Sequence, residues 1–519
     1  MSRSPCFLIF LAITMGLSVP VTTRAQNLRS GVSNSIVMAV ADSAFNRGDF
    51  VRAKLAYVRI LKTDPNNSRA AYQLGRLMPP GSEEAILFFR RYVLLEPQDP
   101  WGHMALGDAL AKAGRLPQAR RFYEHAIKLT PKERDVWIGL GRILQKAGRT
   151  DETIKAFERW SSAHPSDALA WRELGRVRQR AGQLREATQA LKRALTIAPD
   201  NKTENRLRSV QAQAAPAVMP LIGSSWDSDG NVIYRGEVSG TALVFNRARL
   251  GVQAGWTQTE DPKQHATALE FTLTGNWRPR GTLRLNGRVG FAEVRGPEDA
   301  THQSQMTPVF HLRARWQAPA NGPAGELRLT HTPIMSTPFL LVQPVVLKEG
   351  RSIFSAPVYG PIRIRVLGRL GLLKSAVDRN TRIGYGGALT FRIMPGLELS
   401  GQYQALTYKR TTQAGYFAPD LLQTVEVTSY FESSRLWPVE FALDIGIGMQ
   451  RVTPHDSRAY SWGRAFRLWA LISWYFEPGR QLMLEIEGYD SVAAGEALTP
   501  SFGWRYGSAL LSLRWGLGS

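Results

Sequence analysis

The sequence predicts an α-then-β chain of several domains: an N-terminal α-helical repeat solenoid, then an antiparallel transmembrane β-barrel of 14–16 strands. Three observations predict it. Glycines, prolines and tryptophans recur every 34 residues through the first two hundred positions. From about residue 230 to the end, apolar and polar residues alternate with period two. The first 25 residues have the pattern of an export signal. At 519 residues, with 44% hydrophobic and 21% charged residues, the chain can bury substantial cores and is not a disordered polymer. Its 65 Lys+Arg against 43 Asp+Glu give a net charge of +22 and a pI near 10.3. A single cysteine excludes an internal disulfide and a zinc site built on paired thiolates.

Residues 1–25 read as a signal peptide. Arg3 provides a positive start, Cys6–Val19 a 14-residue apolar stretch, and Thr23-Arg24-Ala25 a small-residue cleavage region. That stretch is shorter than the roughly 20 residues a membrane-spanning helix needs. Cleavage after Ala25 leaves a mature chain without cysteine. Export argues against nucleic acid as the partner of the surplus charge. The expected layout is a signal at 1–25, a periplasmic repeat domain at 26–215, a linker at 216–229 and a barrel at 230–519.

The repeat frame is carried by Gly107, Gly141 and Gly175, then Gly114, Gly148 and Gly182, then Pro131, Pro165 and Pro199, with Trp137 and Trp171 in step. It extends upstream through Gly48, Tyr57 and Pro65 and through Gly75, Phe89 and Pro97, giving about five units over 34–201. The frame W-x2-L-G … G-x4-A … P resembles the tetratricopeptide repeat, two antiparallel helices per unit. The first glycine allows close helix packing, the second turns the chain, and proline ends the second helix. Such solenoids bind partners on a concave face and are not usually catalysts.

Beyond the proline-containing stretch Gln211–Pro220, alternation takes over. Leu283, Leu285, Val289 and Phe291 share one face, with Arg284, Asn286 and Arg288 on the other. Ile362, Ile364 and Val366 alternate with Arg363 and Arg365, and Leu482, Leu484 and Ile486 with Glu485 and Glu487. Fourteen strands are predicted, at 230–242, 246–258, 266–277, 281–293, 307–317, 324–332, 359–373, 380–393, 396–409, 421–432, 438–451, 462–476, 479–490 and 503–517. Pro333–Pro357 has room for another pair, and bacterial single-chain barrels are usually even-numbered. A soluble β-sandwich also alternates. The signal peptide and the strand-end aromatics Trp277, Trp316, Trp437, Trp469, Trp474, Trp504 and Trp515 favour the membrane barrel.

On the non-lipid face of such a barrel, Arg284, Arg288, Arg313, Arg315, Arg328, Arg363, Arg365 and Arg369 would line a lumen that favours anionic solutes. The competing expectation is that they pair across the lumen with Glu326, Glu398, Glu426, Glu440, Asp444, Glu485 and Glu487. Residues 26–220 carry net +13 and residues 221–519 net +7, so the repeats hold most of the excess. The eight histidines show no HExxH spacing. His103, His125 and His164 read as packing or capping residues of the repeats. Gly384–Leu389 and Gly446–Arg451 are glycine-rich within strands and are not phosphate loops. No catalytic, cofactor or metal residues are assigned, and no enzymatic activity is expected.

Signal peptide, tetratricopeptide repeats and a C-terminal barrel, in that order, resemble the exopolysaccharide export porins, among them the cellulose synthase operon C subunit and the poly-N-acetylglucosamine porin. Gly415, Tyr416, Phe417 and Pro419 are similar to a Gly-Tyr-aromatic-Ser-Pro segment of the cellulose-system barrel, with Ala418 in place of the serine. The resemblance implies an outer-membrane porin of a Gram-negative bacterium whose periplasmic repeats guide a polymer or recruit synthase components. Its implied partners are an exopolysaccharide, anionic if the arginines line its path, and outer-membrane lipid. The alternative is a repeat scaffold or surface receptor anchored by a closed barrel.

Overall fold

The computed structural model describes residues 35–295, 305–318, 322–433, 438–491 and 504–517; the signal expected at 1–25 lies outside them. A helix over residues 35–46 (α1) is followed by α2 (Phe50–Thr63), α3 (Ser68–Leu77), α4 (Glu83–Leu95), α5 (Pro100–Lys112), α6 (Leu116–Leu129) and α7 (Arg134–Lys146). Then come α8 (Thr150–Ala163), α9 (Ala168–Arg180), α10 (Leu184–Ile197) and α11 (Asn201–Ala214). Polar caps start many of them: Asn67, Ser82, Asp99, Asp167 and Asp200 each accept from a first-turn amide.

The glycines act as their spacing implies. A Cβ on Gly107 would lie 2.7 Å from the Tyr123 ring, and one on Gly175 2.7 Å from Leu191. Gly114, Gly148 and Gly182 take φ of +79°, +68° and +78°, the left-handed turn between paired helices. The tryptophans close each unit onto the proline before it. Trp137 Nε1 donates to Pro131 O at 2.9 Å and Trp171 Nε1 to Pro165 O at 3.0 Å. His103 stands one 34-residue step before Trp137, and its Nε2 lies 2.8 Å from Pro97 O, so an imidazole replaces the indole in the same bond. Tyr123 is buried and donates to Asp108 Oδ1 at 2.7 Å; burial pushes its phenol well above the ordinary value.

Two compact units divide the chain, one ending at Ile143 and one running from Leu144 to Ser519. The second contains the last repeat helices and a closed barrel of 16 antiparallel strands in sequence order. They are β1 (Ala217–Asp227), β2 (Val232–Phe245), β3 (Ala248–Glu260), β4 (His265–Arg280), β5 (Leu283–Arg295), β6 (Gln305–Gln317), β7 (Ala324–Pro333) and β8 (Val346–Tyr359). The rest are β9 (Ile362–Lys374), β10 (Arg379–Met394), β11 (Leu397–Tyr408), β12 (Leu421–Ser433), β13 (Val439–Thr453), β14 (Gly463–Glu477), β15 (Arg480–Ser491) and β16 (Trp504–Gly516), which pairs with β1.

All fourteen predicted strands occur, and two more complete the barrel. The expected linker at 216–229 contains β1, so the barrel starts before residue 230. Its inward residues Ala217, Met219, Leu221 and Gly223 are apolar or small, which hides the alternation. Pro220, with no N–H, falls where the ladder to β16 is interrupted between Val218 and Leu221. Pro333–Pro357 yields one strand instead of a pair, because a short helix, α12 (Pro338–Val342), occupies its first half.

Thirteen residues at ~3.4 Å rise and ~40° tilt span roughly 34 Å, enough for an apolar band about 25 Å tall. The outer face supplies that band: Leu250, Val252, Phe271, Leu273, Val366, Leu370, Val427, Ile447 and Leu511 are all exposed. So wide an apolar surface belongs against lipid. Trp277, Trp316, Trp474 and Trp515 are exposed on the outer face near one end. Trp469 is a correction: it faces the lumen and donates to Glu485 Oε1 at 2.7 Å. Trp437 and the Trp504 side chain lie outside the described residues. At the end where β1 begins, Asn246-Arg247, Gly281-Thr282, Gly360-Pro361, Pro395-Gly396 and Pro478-Gly479 form two-residue turns. Longer loops, such as 334–345 and 409–420, lie at the other end, the asymmetry of outer-membrane barrels. Among the described residues, no helix is long and apolar enough to cross a membrane.

Helices α8 to α11 dock on the short-turn rim. Arg185 donates to Leu243 O at 3.0 Å, Arg278 to Arg180 O at 3.2 Å, and Arg247 pairs with Asp151 at 2.9 Å. Leu184, Ala187, Leu191 and Val210 form a buried cluster that Leu243 of β2 joins.

Candidate functional site

Strand register decides which side chains enter the lumen. On β9, Ile364, Val366, Leu370 and Leu372 are exposed on the outer face, so Arg363, Arg365 and Arg369 point inward. Pairing carries the same alternation to Arg284 and Arg288 of β5, Arg313 and Arg315 of β6 and Arg328 of β7. Every arginine named from the sequence therefore faces inward. Arg351 of β8 and Arg382 and Arg392 of β10 join them; Arg351 stands between Gly350 and Ser352, where the outer face is not apolar, which weakened its signal.

Among the described residues, the ion pairs of these arginines do not cross the lumen. Pairing runs within a strand, between neighbouring strands or, for Glu349 of β8 and Arg382 of β10, across one intervening strand. Glu326 bridges Arg313 at 2.7 Å, Arg315 at 3.2 Å and Arg328. Glu270 holds Arg288 at 3.1 Å, Glu349 holds Arg382 at 2.6 Å and Glu398 holds Arg392 at 2.8 Å. Asp444 pairs with Arg467 at 2.9 Å. Glu440 accepts from the Tyr475 hydroxyl at 2.9 Å. The result is a lumen polarised from side to side: arginines predominate on β5–β10, carboxylates on β11–β15.

Two cavities lie along this wall. One of 1010 Å³ has Arg351, Arg365 and Arg369 on one side and Glu426, Asp444 and Glu487 on the other, with Gln402, Gln404, Thr424 and Tyr489 between. A second, of 710 Å³, is lined by Arg249, Arg288, His311, Arg313 and Arg328. Both are open and sized for several sugar rings, the larger being the more polar, and their donors and acceptors can hydrogen-bond hydroxyl-rich or charged solutes.

At the long-loop mouth the lumen is crossed by apolar side chains. The Thr337 hydroxyl caps α12 by accepting from Leu340 N at 3.3 Å. Leu341 packs on Ala266, Ala268 and Val294, inward residues of β4 and β5. Its neighbour Leu340 packs with Leu373, Tyr408, Ala414 and Tyr416 on the β9–β11 side. Gly415, at φ +77°, lies so close to Phe339 that any Cβ would strike the ring. Phe417 continues the line to Val452 of β13 and to Tyr460. The motif Gly415, Tyr416, Phe417 and Pro419 is therefore half of an apolar partition from β4 to β13. Sequence reading found the motif without its partner; the only sign of α12 was the irregularity of Pro333–Pro357.

A family model of the tetratricopeptide repeat matches residues 110–174. Among solved structures, the chain is similar to the MamA protein, at 27% identity over 34% of this chain and 94% of that one, TM-score 0.30. It is also similar to YrrB, a TPR protein with an unusual peptide-binding site, at 19% identity over 36% and 97%, TM-score 0.30. A third similarity is to a bacterial polysaccharide outer membrane secretin, at 9% identity over 58% and 98%, TM-score 0.42. No curated protein matches the chain. The chain joins tetratricopeptide repeats to a closed 16-stranded antiparallel barrel.

Proposed function

We propose that the protein is an outer-membrane export porin for an exopolysaccharide in a Gram-negative bacterium, with its repeats in the periplasm guiding the polymer or recruiting synthase components. The observation that carries this reading is the lumen: a polar, arginine- and carboxylate-lined path inside an apolar-banded closed barrel, with repeat helices seated on its short-turn rim. The task needs no chemistry from this chain, and no cofactor or metal enters it. Deletion should abolish secreted polymer while intracellular synthesis continues; undiminished secretion would refute the reading. The apolar partition favours a second reading, a scaffold or surface receptor anchored by a shut barrel. Single-channel recordings separate the two: a barrel that never conducts after residues 335–344 are excised supports the anchor.

A further inference from the structure

Four inward arginines stand directly opposite one another on four consecutive strands: Arg313 of β6 pairs in register with Arg328 of β7, Arg328 with Arg351 of β8, and Arg351 with Arg369 of β9. At ~4.8 Å per strand the row covers roughly 14 Å of lumen wall. Like charges directly opposite destabilise a sheet, so such a row needs counter-charge. Glu326 supplies it at one end, to Arg313 and Arg328. At the other end Glu349 lies within electrostatic reach of Arg351 and Arg369 but forms its ion pair with Arg382, through Nη2 at 2.6 Å and Nε at 2.8 Å. Arg351 and Arg369 have no hydrogen-bond or ion-pair partner among the described residues, and the Nε of each is buried. Water in the lumen can solvate their terminal nitrogens, not the buried ones. Both line the 1010 Å³ cavity, whose far wall holds Glu426 and Asp444, shared with Arg467, and Glu487, which accepts from the Tyr489 hydroxyl.

We infer that Arg351 and Arg369, flanked by Arg328, form an anion station that takes the carboxylate groups of a uronate-containing polysaccharide. Guanidinium matches carboxylate geometry with two parallel bonds. A sugar acid held by its carboxylate turns its hydroxyl edge toward the wall of Glu426, Asp444 and Glu487, whose remaining lone pairs accept from hydroxyls. A small oxyanion satisfies the arginines and leaves that wall unused, which is why the polymer is the favoured source. The inference rests on the conduit reading and names its cargo.

The test is calorimetric titration of the full-length protein in detergent with hexuronate oligosaccharides, neutral gluco-oligosaccharides and inorganic phosphate. The hexuronate should bind, weaken with added salt, and lose at least tenfold in affinity in Arg351→Gln/Arg369→Gln. Arg351→Lys/Arg369→Lys keeps the charge and should recover part of that loss, and heat-modifiable migration shows that each variant is folded. Equal binding of the neutral oligosaccharide, unchanged hexuronate binding in the glutamine variant, or phosphate binding as tightly as the hexuronate would each overturn the station. Binding is read without conduction, so its absence leaves the conduit reading to stand or fall on secretion alone.

Discussion

Leu340→Ala with Leu341→Ala is the sharpest perturbation the structure offers. Both side chains are 1% exposed, and they hold α12 to opposite walls of the lumen. The helix has five residues, far too few to persist without packing. Truncating a buried leucine costs about 2–5 kcal/mol. Here that cost falls on a local equilibrium between a seated and a released α12, because the barrel ladders do not depend on either residue. At about 1.4 kcal/mol per tenfold, each substitution raises the released fraction roughly 30- to 4,000-fold. The two leucines touch separate clusters, so their effects should largely add. In planar bilayers the double variant should show long conducting events that are rare in the wild type. Cells carrying it should admit bulky antibiotics that the outer membrane normally excludes. A folded double variant with the wild-type open fraction would refute the argument that these contacts close the mouth.

Other expectations follow from the same geometry. Gly107→Ala places a methyl 2.7 Å from the Tyr123 ring; overpacking should cost about 1–3 kcal/mol and lower the melting temperature of the helical circular-dichroism signal. Burial, then the His103 ring 4.4 Å away, holds the His125 imidazolium below the usual histidine range. The stabilising share of its neutral form is full above about pH 6.5 and lost as pH falls below that. Helical melts at pH 5.5 should therefore come earlier than at pH 7.5, and His125→Phe should narrow the difference. Glu326→Gln removes the shared counter-charge of three arginines; with those arginines 38–53% exposed, water softens the loss to about 1–3 kcal/mol. Heat-modifiable migration should shift at a lower temperature, and hexuronate should bind more tightly.

The sequence made the repeats legible because each unit repeats a steric necessity: Gly107 and Gly175 permit close approach, and Gly114, Gly148 and Gly182 permit the left-handed turn. The barrel was legible wherever an inward charge alternated with an outward apolar residue, as in Ile362–Leu370. It was not legible in β1, whose inward residues are as apolar as its outward ones. The inward orientation of the arginines followed from period two alone. Their pairing did not, because it depends on which residue of one strand stands opposite which residue of the next. Arg313, Arg328, Arg351 and Arg369 are scattered over 57 positions and meet only through four-strand register. The partition was invisible for the same reason: Leu340 and Tyr416 are far apart in sequence and meet inside the lumen.

A transport path must hold its cargo strongly enough to admit it and weakly enough to release it. A lumen of unpaired arginines would trap a polyanion. Here most of the arginine wall is neutralised by its own neighbours: Glu326 occupies three arginines, Glu270 one, Glu349 another and Glu398 another. Arg351 and Arg369 keep uncompensated charge beside the 1010 Å³ cavity, opposite a wall that carries Glu487 and the Glu426 and Asp444 shared with Arg467. A passing carboxylate is therefore drawn to one side at one level of the lumen, and the opposing charge limits how many can sit there together. Above that level Leu340, Leu341 and Phe417 cross the lumen, so on the export reading a bound chain would advance only after α12 moves. Attraction below and closure above are separable by mutation, since no arginine of the pair touches Leu340 or Leu341 directly, and apart from coupling through Tyr408 the two pairs of variants should combine additively in a conductance-and-block experiment.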